Sequence, residues 1–202
     1  MTKIVTQENI EDVVLAIQNE QVVAFPTETV YGLGVKFGSQ KALDKLMEAK
    51  NRDYSKAITL MVSCIEDIEK YAYVNENAKK LMLRFMPGML TLVFKKKESV
   101  DASMTNGKET IGIRIPKSDY VLSLLEKAGP MLVTSANLSN HPNTTTTKEV
   151  LDQLDGRIDI VVDGKTTDNI ASTVIDVSGQ DIKILRVGKI TSRDIEEVIK
   201  WK

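Results

Sequence analysis

The sequence predicts a mixed α/β (α+β) domain, a twisted mixed sheet with helices packed on it. Three observations carry that expectation. Short apolar runs of strand length are interleaved with stretches of helical periodicity along the whole chain. The interleaving is irregular, with eight or nine strands against five to seven helices, which disfavours a regular doubly wound array. At 202 residues, with 42% hydrophobic and 27% charged side chains, the composition is that of one ordinary globular domain spanning 1–202.

Each element has its own signal. Residues 7–19 place apolar side chains at 10, 13, 14 and 17, a helical stripe. Val22 to Phe25 then read as a strand, Pro26 to Tyr31 as a polar turn, and Gly32 to Phe37 as a second strand. Ser39 is the N-cap of a helix reaching Lys50, with Leu43, Leu46 and Met47 on one face. Residues 57–62 form a buried strand, and 75–86 a helix stopped by Pro87-Gly88. Strands follow at 90–94 and 110–115, then a helix over 119–128 ended by Gly129-Pro130. Residues 131–136 are a strand whose end turns polar. Thr146 and Glu149 have capping-box spacing ahead of a short helix. Strands at 158–162, 172–177 and 183–187 and a helix over 192–200 complete the list.

Composition excludes several classes. The single cysteine, Cys64, forbids an internal disulfide and predicts a reducing, cytoplasmic setting. No signal-like segment and no apolar run of membrane-spanning length is present, so no membrane partner is expected. A net charge of −1 argues against a constitutive nucleic-acid binder, leaving RNA only a local patch. With one histidine and one cysteine, no four-ligand zinc site of nitrogen and sulfur can be built, and no metal ligands are assigned. His141 lies in a turn-like Ser-Asn-His-Pro stretch and reads as a solvated loop residue. No Gly-x-Ser-x-Gly elbow and no Gly-x4-Gly-Lys-Ser/Thr loop occurs. The Gly32-Leu33-Gly34 triplet lacks the third glycine of a dinucleotide fingerprint.

What remains is polar chemistry at strand ends. Thr27 and Glu28 follow the first strand, at a glycine-flanked turn of the kind that lets backbone approach a ligand. Lys50, Arg52 and Lys56 follow the second helix, Thr134, Ser135 and Asn137 close a strand, and Ser172 opens another. Arg114 and Arg186 interrupt apolar strands, so each either points outward or faces a polar cavity. Lys50 has a structural explanation too, because a lysine at a helix C-terminus is favoured by the helix dipole. Ser135-Ala136-Asn137 is equally readable as a side-chain-capped turn. Several cations with hydroxyl and amide donors suit a polyphosphate, held through charge-assisted hydrogen bonds. Such a set fits adenylyl transfer, which needs positioning and charge stabilisation more than a protein nucleophile.

Seven short motifs, in order and spacing, resemble the YrdC/TsaC family. They are Phe25 to Gly34, Lys50-Asn51-Arg52, Pro87-Gly88 with Leu90-Thr91-Leu92, Ile113 to Pro116, Ser135 to Ser139, Ser172 to Asp176, and Leu185-Arg186. The resemblance covers roughly residues 10–190 and is to the short, single-domain form. It implies a YrdC-like twisted sheet enclosing a large basic cavity. It further implies a nucleotidyltransferase that condenses L-threonine, bicarbonate and ATP to threonylcarbamoyl-AMP and pyrophosphate, for N6-threonylcarbamoyladenosine formation in tRNA. Carried over by position, Thr27, Arg114, Thr134 and Ser172 hold threonine or its carbamate. Lys50, Arg52, Lys56, Ser135, Asn137 and Arg186 hold ATP, with Lys50 and Arg52 catalytic at the phosphates. Magnesium arrives with ATP and takes few protein ligands. Contact with tRNA or double-stranded RNA, and hand-over to a threonylcarbamoyl transferase complex, belong to the same implication.

The chain departs from the family pattern at Asp53, Met61, Asn140, Ala171 and Val187. These departures touch the threonine side more than the ATP side. They keep two alternatives open: a non-catalytic RNA-binding or ribosome-assembly factor of this fold, or a paralogue with different carbamoyl or nucleotidyl chemistry.

Overall fold

The computed structural model describes residues 1–53 and 58–200. Among these, eleven strands join into one mixed sheet, with seven α-helices packed on its two faces. The strands are β1 (Lys3–Val5), β2 (Val23–Phe25), β3 (Gly32–Lys36), β4 (Thr59–Met61), β5 (Ala72–Tyr73), β6 (Leu90–Lys96), β7 (Thr110–Arg114), β8 (Met131–Ser135), β9 (Ile160–Val162), β10 (Thr173–Asp176) and β11 (Lys183–Arg186). The helices are α1 (Ile10–Gln18), α2 (Gln40–Ala49), α3 (Ile65–Tyr71), α4 (Glu76–Phe85), α5 (Asp119–Ala128), α6 (Thr147–Leu154) and α7 (Ser192–Lys200). The sheet runs β1-β9-β2-β3-β8-β4-β7-β6-β10-β11, with β5 added on β6. Four pairings are parallel (β1–β9, β2–β9, β4–β7, β6–β10) and the others antiparallel. The mixed sheet expected from the sequence is therefore what forms.

Strand alternation divides the core into two layers. Val23 and Phe25 of β2, with Met131 and Val133 of β8, face α1 and α5 through Val13, Ile17, Val121, Leu124 and Leu125. Ala24, Leu33 and Leu132 point the other way, into a larger cluster with α2, α4, α6 and α7. The period of two in each strand makes that division unavoidable. Caps behave as their residue types dictate: Ser39, Asn75, Ser118 and Thr146 each accept a backbone N–H of the first helical turn. The box on α6 is shifted by one residue, because Glu149 Oε2 accepts from Thr145 N at 2.6 Å rather than from Thr146. Gly129 closes α5 at φ +86°, a conformation that disfavours any side chain.

Three differences from the sequence expectation are local. The helix over 7–19 begins as a 3-10 turn at Gln7–Asn9 before α1. β1, β5 and α3 were not expected; each is short, and α3 buries only Ile68. Gly32 and Gly34 serve packing: a Cβ on Gly34 would lie 2.8 Å from the Phe25 ring, and one on Gly32 3.0 Å from it. No helix among the described residues is long and apolar enough to cross a membrane.

Candidate active site

The strand ends of β2, β4, β6, β7 and β8 and the entry to β10 converge on one cavity of about 210 Å³. Its polar lining includes Thr27, Thr29, Arg52, Thr59, Thr91, Arg114, Thr134, Ser135, Ser172 and Arg186, with Met61 and Val133 as apolar surface. A second cavity of about 220 Å³ adjoins it and shares Thr59, Thr91 and Arg186. That neighbour has apolar walls from Leu43, Met47, Val93, Ile111 and Val174.

The turn after β2 is built by its own hydroxyls. Thr27 Oγ1 donates to Val30 O at 2.8 Å and accepts from Thr29 N at 3.0 Å, the local bonding that threonine offers in turns. Tyr31 anchors the turn from below, its phenol between Val162 O and Thr147 Oγ1, both 3.0 Å away. Burial pushes that phenol's pKa up to about 12, with a neighbouring Asp163 adding to the rise and the Thr147 bond opposing it.

Arg114, at the end of β7, faces the cavity rather than solvent. Its Nη2 pairs with Glu28 Oε1 at 2.7 Å, the two side chains being only 6% and 8% exposed. Nη2 also donates to Thr29 Oγ1 (3.1 Å), and Nε donates to Gly88 O (3.1 Å). Gly88 presents that carbonyl from a turn where a Cβ would meet Phe85 O at 2.7 Å, so no larger residue fits.

On the opposite side, Ser172 Oγ bonds Thr91 Oγ1 at 2.8 Å. Arg186 reaches across from β11 and donates to Ser172 O through Nε (3.0 Å) and Nη2 (2.8 Å). Desolvation lowers the Arg186 pKa, and the positive charge of Arg114 lowers it further. Two guanidinium groups close enough to repel across one cavity are relieved by an anion between them. Arg52 lines the same cavity, its pKa also lowered by desolvation.

Lys50 sits elsewhere. Its side chain is fully buried, and Nζ donates to the carbonyls of Ser135 and Asn137 and to Asn137 Oδ1. Lys50 O in turn accepts from Ser139 N at 3.0 Å. Asn137 spends its amide on Leu138 O (2.9 Å) and His141 O (2.7 Å), closing the side-chain-capped turn that the structural reading of Ser135-Ala136-Asn137 anticipated. Lys50 and Asn137 thus stand behind the wall that presents Ser135. His141 is exposed, as a loop histidine should be. Lys56 lies outside the described residues.

Thr27, Arg52, Arg114, Thr134, Ser135, Ser172 and Arg186 therefore come together in one cavity. Sequence reasoning left Thr29, Thr59 and Thr91 of the lining unassigned, and two residues behind it as well. Glu28 was noted only as a polar residue at a strand end. Gly188 carried no signal, yet a Cβ there would lie 2.3 Å from Ala171 O and 2.7 Å from Thr173 N, so the Ser172 segment needs it bare.

Together, the mixed sheet and its basic, hydroxyl-lined cavity define a ligand-binding α/β protein suited to an anionic, phosphate-bearing ligand. Comparison with known proteins gives this class a family. The chain belongs to the Sua5/YciO/YrdC family, whose profile, described as telomere recombination, matches residues 15–188. It is 40% identical over 187 residues to the threonylcarbamoyl-AMP synthase of Bacillus subtilis, covering 91% of this chain and 54% of that protein. It is 31% identical over 158 residues to the protein of that name from Enterobacter sp., covering 76% of this chain and 83% of the relative. Among solved structures, Pyrococcus abyssi Sua5 complexed with L-threonine superposes with a TM-score of 0.94 at 34% identity, covering 98% of this chain and 61% of that one. Escherichia coli YciO superposes with a TM-score of 0.85 at 26% identity, covering 94% of this chain and 97% of that one. The chain spans about half the length of the Bacillus relative and somewhat more of the Pyrococcus structure.

Proposed function

We propose that this chain is a threonylcarbamoyl-AMP synthase. The observation that carries the reading is the convergence of Arg52, Arg114 and Arg186 with Thr27, Thr134, Ser135 and Ser172 on one cavity. The names of its relatives support the same reading. In this reaction the threonine amino group, once deprotonated, bonds to the carbon of bicarbonate and water leaves. A carbamate oxygen then attacks the α-phosphorus of ATP, and pyrophosphate departs.

Threonine and its carbamate sit between Thr27, Arg114 and Thr134 on one side and Ser172 on the other. The phosphates lie toward Arg52, Ser135 and Arg186, with Lys50 and Asn137 holding the Ser135 turn and Lys50 adding positive charge beneath it. The adjoining apolar-walled cavity takes the adenine ring. The lining guanidinium and hydroxyl groups fit phosphate oxygens rather than a metal, so magnesium enters on ATP and is held by the phosphates. We further propose Lys56 as a phosphate ligand, a cytoplasmic setting, and hand-over of the acyl-adenylate to a threonylcarbamoyl transferase acting on tRNA.

The test is pyrophosphate release from ATP and magnesium, with threonine and bicarbonate omitted in turn. Release that requires both establishes the synthase. Release with neither points to other nucleotidyl chemistry. No release, with RNA bound in a steeply salt-dependent way, points to an RNA-binding factor.

A further inference from the structure

Glu28 is a buried carboxylate that the proposed reaction does not use. It lies in the turn between β2 and β3, outside the cavity lining, with its side chain 8% exposed. One oxygen does all its bonding: Oε1 accepts from Arg114 Nη2 at 2.7 Å and from Lys117 N at 2.9 Å. Oε2 is buried with no hydrogen-bond partner among the described residues. Burying an acid against an arginine and leaving one oxygen bare is poor stability engineering, because desolvation of the pair outweighs much of its attraction. Such an arrangement persists where geometry matters more than energy.

The geometry concerns the five N–H groups of Arg114. Nε is committed to Gly88 O, and Nη2 is divided between Glu28 Oε1 and Thr29 Oγ1. Nη1 makes no hydrogen bond to a described residue, while Arg114 itself lines the cavity. Three bonds from two segments, the β2–β3 turn and the Gly88 turn, fix the guanidinium plane, and the two N–H groups left over belong to Nη1. Glu28 is tied in place from both ends, since Thr167 Oγ1 donates to its backbone carbonyl at 3.0 Å.

We propose that Glu28 is a positioning residue: it locks Arg114 so that Nη1 is presented to the carboxylate of the amino-acid substrate. This rests on the synthase reading, in which that carboxylate lies beside Arg114. The role is exerted through the acceptor at Oε1, so an isosteric amide should fulfil much of it.

The experiment titrates the full chain calorimetrically with L-threonine and with L-threoninamide, which lacks the carboxylate. Wild-type protein is expected to prefer threonine by at least tenfold. Glu28→Ala should remove most of that preference by weakening threonine about tenfold while leaving threoninamide within about twofold. Glu28→Gln, which keeps the acceptor, should restore most of the loss. Should the alanine variant fail to fold, Glu28→Asp keeps the buried charge but withdraws the acceptor, and should show the same threonine-specific loss. Equal weakening of both ligands, or a glutamine variant no better than alanine, overturns the positioning role. A wild type that binds threonine without any preference over the amide overturns instead the placement of the carboxylate at Arg114. Wild type that binds neither ligand overturns the synthase reading itself.

Discussion

The two walls of the cavity each carry an arginine, and the two are held in opposite ways. Arg114 is deep in the sheet, paired with a buried carboxylate and further fixed by a carbonyl and a hydroxyl. Arg186 lies on β11, at the edge of the sheet, where every residue of the strand is exposed. Its hydrogen-bond partners among the described residues are the carbonyl and hydroxyl of Ser172, neither of which offsets its charge. The first wall therefore contributes direction with its charge largely cancelled. The second contributes net positive charge on a more yielding support. A ligand with a carboxylate at one end and a polyphosphate at the other suits that division, because a carboxylate is recognised by geometry and a polyphosphate by field.

The largest expected effect lies in the rigid wall. Arg114→Ala strands Glu28 as an unpaired buried charge, and should cost about 3–5 kcal/mol of stability in urea unfolding. Arg186→Ala should cost no more than about 1 kcal/mol by the same measurement. If the two cost the same, the contrast between the walls is wrong. Their order reverses in catalysis at saturating threonine. Arg186→Ala, like Arg52→Ala, should lose about 2–4 kcal/mol of transition-state stabilisation in pyrophosphate release. An unchanged rate in both would remove the phosphates from that wall.

A subtler change sharpens the comparison. Gly188→Ala keeps Arg186 but drives a Cβ against Ala171 O and Thr173 N, both backbone atoms of the segment that carries Ser172. Overpacking of this kind typically costs about 1–3 kcal/mol. The segment has to move, and it carries both Ser172 and the carbonyl that holds Arg186, so KM should rise for threonine and for ATP. A variant that loses stability alone would make Gly188 a packing residue.

How far these walls were legible in the sequence follows the range of the forces involved. Strand and helix periodicity, caps and stop signals are local, and they located β2 to β4, β6 to β11 and six of the seven helices. β1, β5 and α3 escaped because two or three paired residues, or one buried side chain, leave no periodic trace. Arg114 and Arg186 stood out as charges inside apolar strands, and both do face the cavity. Their partners did not stand out: Glu28 is 86 residues from Arg114 and Ser172 is 14 from Arg186, separations that only the sheet order closes. Gly32 and Gly34 drew attention as ligand-approach glycines; Gly32 does line the cavity, and the bare Cα atoms of both also seat the Phe25 ring. Lys50 shows the same limit. A basic residue at a helix end is visible in the sequence, but its burial under the Ser135 turn depends on β8 packing beside α2.

The smallest prediction probes the support of the rigid wall. Tyr31→Phe removes one buried and one part-buried hydrogen bond, which should cost about 1–2 kcal/mol at pH 8. The folded-state pKa of Tyr31 is about 12, above its ordinary value of 10, so folding favours the neutral phenol. The stability this contributes is fully present below pH 10 and is lost as pH rises toward 12, at up to about 1.4 kcal/mol per pH unit. Phenylalanine has no such proton to lose. The gap between wild type and Tyr31→Phe in unfolding free energy should therefore narrow across pH 10 to 12, while staying flat from pH 6 to 9. A gap that is constant through pH 11 would mean that the phenol is not held neutral at the base of the turn. The rigid wall would then rest on the bonds that Arg114 makes to Glu28, Thr29 and Gly88.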